Sequence, residues 1–189
     1  MALAHPVRCG PRVIGLLLLI AAAPFVQDSL AAGGVSDDAL AHSVQQLRDS
    51  IGRWSVQTEF LNEDGSVAKS VAGTYEFAWV VRDRVVAGRS DIPELQQTAG
   101  ILFYINGKQS KIEMVSVGAD GMLWVMSGPL GGEQRLSQEF ATANGGKGRL
   151  RFTRSSVSAN AFESRMEYTE DGGKTWKPGN RQRFTRLAG

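Results

Sequence analysis

Chemically reactive side chains are scarce in this sequence. Its 189 residues include one cysteine, Cys9, and two histidines, His5 and His42, and the formal net charge is only +2. A single cysteine excludes an internal disulfide framework and a Cys-rich zinc site. The near-balanced charge gives no electrostatic footprint for nucleic acid. No apolar run is long enough to span about 30 Å of hydrocarbon. With 42% hydrophobic and 21% charged residues, the chain has the composition of one globular domain rather than a disordered or collagen-like one.

The scarcity sharpens once the N-terminus is read. Arg8 and Arg12 precede the apolar run Val13–Ala23, Pro24 closes it, and Ser29-Leu30-Ala31 supplies small residues for a signal peptidase. This pattern predicts an export signal over 1–31, a short linker over 32–35 and one domain over 36–189. The competing reading of the run is an uncleaved anchor. A lipidated cysteine would follow the run, and Cys9 precedes it, which argues against a lipoprotein. Cleavage would remove Cys9, His5, Arg8, Arg12 and Asp28, leaving a periplasmic or secreted protein with no thiol, one imidazole and no stable membrane anchor. Its fold would depend on an ordinary core.

Ser36-Asp37-Asp38 reads as an N-cap with acids in the first helical turn. Ala39, Leu40, Val44, Leu47 and Ile51 follow on one stripe, and Gly52 stops it, predicting a helix over 36–51. After Gly52 the hydrophobic period changes to two. Trp54, Val56, Thr58 and Phe60 alternate with polar residues, and Asn62-Glu63-Asp64-Gly65 marks a hairpin turn. Similar turn signals recur at Asn106-Gly107, Asp120-Gly121, Asn144-Gly145 and Asp171-Gly172. They separate strands expected near 53–61, 67–78, 84–90, 100–105, 111–117, 122–127, 133–141, 149–155, 162–169 and 180–187. About ten short strands joined by tight turns predict a mainly β fold, an antiparallel up-and-down barrel with one helix over an end. A two-sheet sandwich satisfies the same pattern. The longest irregular stretch, 90–97, is expected as a loop at a barrel mouth.

The opening Gly52-Arg53-Trp54, entered from a short amphipathic helix, resembles the Gly-x-Trp start of calycins, the lipocalin and fatty-acid-binding-protein group. That resemblance implies that Trp54 closes one barrel end beneath an arginine from the last strand, for which Arg183 and Arg186 are both candidates. Together with Gly73-Thr74-Tyr75 and a Trp-containing turn before an arginine-bearing strand, the chain is similar over about residues 40–187 to an exported bacterial lipocalin-like family of unknown function. It lacks the other lipocalin loop motifs and disulfides, and it has no histidine placed like the haem ligand of nitrobindin-type barrels. Thr169–Trp176 is similar to the Asp-box of sialidase propellers. In that motif Asp171 would bond turn amides and Trp176 would pack beneath them, a structural role; one copy argues against a propeller.

No catalytic residue, metal ligand or cofactor site stands out. His42 lies off the helix stripe and is expected exposed, and no Gly-x-Ser-x-Gly elbow presents a serine. Gly145-Gly146-Lys147-Gly148 lacks the spacing of a phosphate loop. Glu113 sits between Ile112 and Met114, so alternation turns it outward. What the strands do carry is a set of large soft side chains. Trp79, Phe103, Met114, Trp124, Met126, Phe152, Phe162 and Met166 are the candidate lining of an interior that takes a small apolar ligand. The leading expectation is an exported, non-catalytic binding module. The alternatives are a carboxylate-dependent hydrolase or isomerase in the same barrel, and an envelope interaction protein built on a solid barrel.

Overall fold

Ser36 begins the ordered architecture as the sequence suggests, its Oγ accepting the Ala39 N–H at 3.2 Å. In the computed structural model, which describes residues 36–142 and 145–188, this cap opens helix α1, Asp37–Ser50. The export signal and linker read over 1–35 lie outside the described residues, as does Asn144. Leu47 is fully buried and packs on Val86, Ile105 and Ile112, flanked by Leu40, Val44 and Ile51. The apolar stripe therefore seats the helix on the strands rather than on a partner. Among the described residues no helix is long and apolar enough to cross a membrane.

Eleven antiparallel strands follow: β1 Gly52–Leu61, β2 Val67–Val81, β3 Val85–Ile92, β4 Gln97–Asn106, β5 Lys111–Gly118, β6 Leu123–Pro129, β7 Gln134–Ser137, β8 Phe140–Ala141, β9 Lys147–Ser155, β10 Ala161–Thr169 and β11 Lys177–Arg186. Strands β1 to β7 pair in succession, β7 passes over β8 to pair with β9, and β9 pairs with β10, β10 with β11 and β11 with β1, so ten strands close into a ring while β8 adds to the end of β9. The closing joints are long. Trp54 to Phe60 oppose Arg186 to Asn180, and Glu163 to Thr169 oppose Ser155 to Arg149. Closure rather than sandwich packing removes the exposed edges that a ten-strand meander would otherwise present.

Two segments differ from the sequence reading. The expected loop over 90–97 is half strand and half a compact turn. β3 continues to Ile92, a single 3-10 turn occupies Pro93–Leu95, and left-handed Gln96 (φ 51°) returns the chain into β4. Pro93 presets the turn dihedral, so three residues suffice. The strand expected over 133–141 is broken instead into β7 and β8. There the Ser137 hydroxyl accepts the Leu150 N–H at 2.8 Å and donates to the Gln138 carbonyl at 2.8 Å, replacing ladder bonds across the break. The β6–β7 joint is correspondingly short, with only Met126↔Ser137 and Ser127↔Leu136 in register. Gly128 brings these strands close, because a Cβ there would collide with the Gln134 carbonyl.

The turn at 169–176 is internally wired. Asp171 accepts from the Lys174 and Thr175 N–H groups at 2.9 and 3.0 Å and from the Thr169 and Thr175 hydroxyls at 2.7 and 2.6 Å. These bonds, the Thr175 hydroxyl foremost, hold the Asp171 carboxyl well below the usual carboxylate range. A depressed folded pKa contributes stability that is present above the ordinary aspartate value of 3.8 and lost as pH falls through the folded value. Asp171→Asn should therefore lower the melting temperature at neutral pH, and the gap to wild type should close as the melts are taken below about pH 4. A gap independent of pH would remove the carboxylate from this account. Trp176 packs under the Arg151 guanidinium, 4.2 Å from ring centroid to Cζ, outside the barrel lumen.

Candidate ligand-binding site

The two ends of the barrel are built differently. At the helix end Trp54 is fully buried. Its ring packs edge-on against Phe162 at 5.0 Å and Phe184 at 6.4 Å, and its Nε1 donates to the Ser50 carbonyl at 2.8 Å. Arg186, paired with Trp54 across β1 and β11, stacks its guanidinium 4.2 Å from the indole centroid. The same guanidinium donates to the carbonyls of Asp49 and Ile51, which the helix end leaves free, and to that of Ala159 between β9 and β10. Gly52, at φ +118°, leaves room for it, since a Cβ there would lie 2.7 Å from Arg186 Nη1. Arg183 is one residue out of phase and turns outward to Glu59 and Glu163. The helix, the Gly-x-Trp and the last-strand arginine thus form one closure.

The barrel closes at this end as the calycin resemblance of its Gly-x-Trp opening implies.

No protein family and no curated protein matches the sequence. Among solved structures, a protein of unknown function of the DUF3598 family from Nostoc punctiforme PCC 73102 is similar over 75% of this chain, with 14% identity and a TM-score of 0.48. The chain spans 49% of that protein, about half its length. The S-type phycobiliprotein lyase CpeS from Guillardia theta aligns over 77% of this chain and 92% of its own, with 8% identity and a TM-score of 0.45. EF1p2_mFAP2b bound to DFHBI aligns over 77% of this chain and 98% of its own, with 13% identity and a TM-score of 0.38.

The other end of the barrel is open. A cavity of about 810 Å³ runs from the rim residues Phe60, Leu95, Gln96, Asp120, Met122 and Asn180 down to Gln46 and Ser50 of α1. Six of the eight side chains expected to line an interior do so: Phe103, Met114, Trp124, Phe152, Phe162 and Met166. Trp79 and Met126 do not. Trp79 packs with Leu47, Val86 and Ile112 beneath the helix, and Met126 is 2% exposed and off the lining. Trp79 alternates inward at the height of the closed end, and Met126, opposite Met114 in register, is covered by its neighbours instead of facing the lumen. The 3-10 turn of Pro93–Leu95 and Gln96 sits at the mouth, the place expected for the 90–97 segment, in a more compact form.

Polar groups on the lining divide into two sets. On the wall of β1, β2 and β11, Gln182 Nε2 donates to Thr58 Oγ1 at 3.1 Å and to the Tyr75 hydroxyl at 3.2 Å, while its Oε1 accepts from Ser164 at 3.3 Å. Burial raises the Tyr75 pKa against the opposing bonds of Gln182 and Ser90, so the phenol stays neutral. This set satisfies itself. The second set lies under α1. Arg154, 8% exposed, is held by Glu133 at 2.9 Å and Asp49 at 3.4 Å. Burial pushes the Glu133 carboxyl up, and the bond and charge of Arg154 carry it below its usual value. His42 Nε2 lies 2.8 Å from Glu133, so the imidazole is exposed as expected but pins the helix to the barrel.

Arg135 on β7 lies in this second set and was invisible to sequence reasoning. It is 2% exposed, and its Nη2 donates to Gln46 Oε1 at 2.7 Å. The guanidinium lies 4.7 Å from the Phe103 centroid and 5.9 Å from that of Phe152. Burial, assisted by repulsion from Arg154, draws its pKa down to about 10, which leaves it a cation at neutral pH. Among the described residues its Nε has no partner. The carboxylates on the cavity lining are Asp120 and Glu167, and both are engaged. Asp120 accepts the Met122 N–H of its own turn at 3.0 Å, and Glu167 accepts from Arg151 at 2.8 Å. Glu113 faces outward, where Asn106 donates to it at 3.2 Å. Among the described residues no group of three or more His, Cys, Asp or Glu is placed to hold a metal ion.

Proposed function

We propose that this protein is an exported binding module that holds one small apolar or amphipathic molecule in the barrel lumen. The observation that carries the reading is the cavity of about 810 Å³, open at one end and lined by aromatic and methionine side chains. Its size falls in the ordinary range for small-molecule sites, about 300–1,000 Å³. An interior of this volume also removes the basis for a solid barrel. A carboxylate-dependent hydrolase asks for two free acids opposed across the pocket, about 5–10 Å apart. Asp120 and Glu167 are instead committed to a turn and an ion pair. The proposal of export rests on the Val13–Ala23 run behind Arg8 and Arg12 and on the small residues ending at Ala31.

Trp124 supplies the test. It lines the cavity, whereas Trp54 and Trp79 are packed at the closed end and Trp176 lies outside. Titration with the neutral fluorophore N-phenyl-1-naphthylamine should quench tryptophan emission by energy transfer and brighten the probe. Trp124→Phe should remove most of that quenching while the probe still brightens. Probe fluorescence that never rises above its value in buffer would overturn the reading.

A further inference from the structure

Resting on the binding reading above, we propose that the ligand is a carboxylic acid on an apolar body, seated with its single negative charge toward Arg135 at the helix-closed end of the lumen. Arg135 is a buried cation among ring faces. Its contacts are one amide oxygen, from Gln46, and the rings of Phe103 and Phe152, all of which line the cavity. Among the described residues no carboxylate lies within 4.0 Å of it. The two acids nearby are spent on Arg154, with Glu133 and Asp49 both bonded to that side chain and Glu133 also to His42.

Buried guanidinium groups are ordinarily paired with an acid. Here the pairing has been completed for one arginine and left open for its neighbour. The opposite wall offers no competing anchor, because Gln182, Thr58 and Tyr75 satisfy one another. One guanidinium without an acid partner matches one carboxylate, whose two oxygens fit the planar N–H fork. A phosphate monoester would bring a second charge, and the other cation on the described lining, Arg154, is already engaged by Glu133 and Asp49. The wide apolar lumen between Arg135 and the rim then takes the body of the acid. Aliphatic and aromatic acids share this chemistry.

The test uses purified protein stripped of lipid on a hydrophobic resin, titrated calorimetrically at neutral pH with decanoate, decan-1-ol and decyl phosphate. Decanoate should bind at least about tenfold more tightly than the alcohol, the scale of one charge-assisted bond, and more tightly than decyl phosphate. Arg135→Met should erase the preference by weakening decanoate about tenfold with the alcohol little changed, and Arg135→Lys should keep it. Equal affinity for acid and alcohol in the wild type overturns the acid proposal and leaves the binding reading intact. The same holds if Arg135→Met retains the preference. Tighter binding of decyl phosphate overturns the single-charge assignment. Failure of all three to bind, with N-phenyl-1-naphthylamine also excluded, overturns the binding reading itself. Should Arg135→Met not fold, Arg135→Gln and the wild-type ratio decide the matter.

Discussion

Replacing Ser116 and Met166 together by tryptophan should abolish probe uptake and leave the barrel folded. Both residues line the cavity, on β5 and β10, which lie on opposite walls of the ring. The two indoles would project into the lumen from either side. Denying a ligand about 100 Å² of apolar burial costs about 2.5 kcal/mol at 25 cal/mol per Å², roughly a seventyfold loss of affinity. Overpacking a filled core costs about 1–3 kcal/mol, but here the added rings enter empty volume, so the melting temperature should move little. Fluorescence titration and thermal melts of the same preparation separate the two quantities. Unchanged affinity would place the binding site elsewhere on the molecule.

Trp54→Ala should be the most destabilising single substitution at the closed end. The indole is fully buried, packs on Phe162 and Phe184, bonds the Ser50 carbonyl and carries the Arg186 guanidinium on its face. Truncating a buried tryptophan to alanine costs about 3–5 kcal/mol, out of the roughly 5–15 kcal/mol that a domain of this kind has to lose. For a chain of this size the melting temperature should drop by roughly 6–20 °C. Trp54→Phe keeps the ring packing and forfeits mainly the hydrogen bond, about 1 kcal/mol. Urea titration of the three proteins would show the order, and a loss under about 1 kcal/mol for the alanine variant would mean that this tryptophan does not close the barrel.

The elements were legible because their signals are local. The Ser36 cap, the Leu40–Val44–Leu47 stripe and the Gly-containing turns each lie within a few residues of the structure they specify. Alternation also placed Phe103, Met114, Trp124, Phe152, Phe162 and Met166 on the inward face. It reports neither height along the barrel axis, where Trp79 falls at the closed end, nor how neighbours cover an inward side chain, as happens to Met126. The choice between Arg183 and Arg186 required the register of β11 on β1, a long-range pairing.

Arg135 escaped for a different reason. In Gln134-Arg135-Leu136-Ser137 the hydrophobic rule puts Leu136 inside and Arg135 outside. The structure does the reverse, with Arg135 2% exposed and Leu136 only partly covered. The phase of β7 is set by its neighbours, the close approach at Gly128 and the pairing of Arg135 with Phe152, rather than by its own four residues. Whether a ten-strand ring is filled or hollow depends on the summed volume of all inward side chains, among them the small Ser90, Ala99 and Ser116. No local pattern carries that quantity.

The central claim, that the lumen carries a ligand, is tested most directly by native mass spectrometry of the protein recovered from its own host. The account predicts a chain beginning at Ala32 that carries a small-molecule mass, with that mass missing from the Ser116→Trp, Met166→Trp variant. A wild-type protein that emerges bare, and stays bare after incubation with N-phenyl-1-naphthylamine, would contradict it.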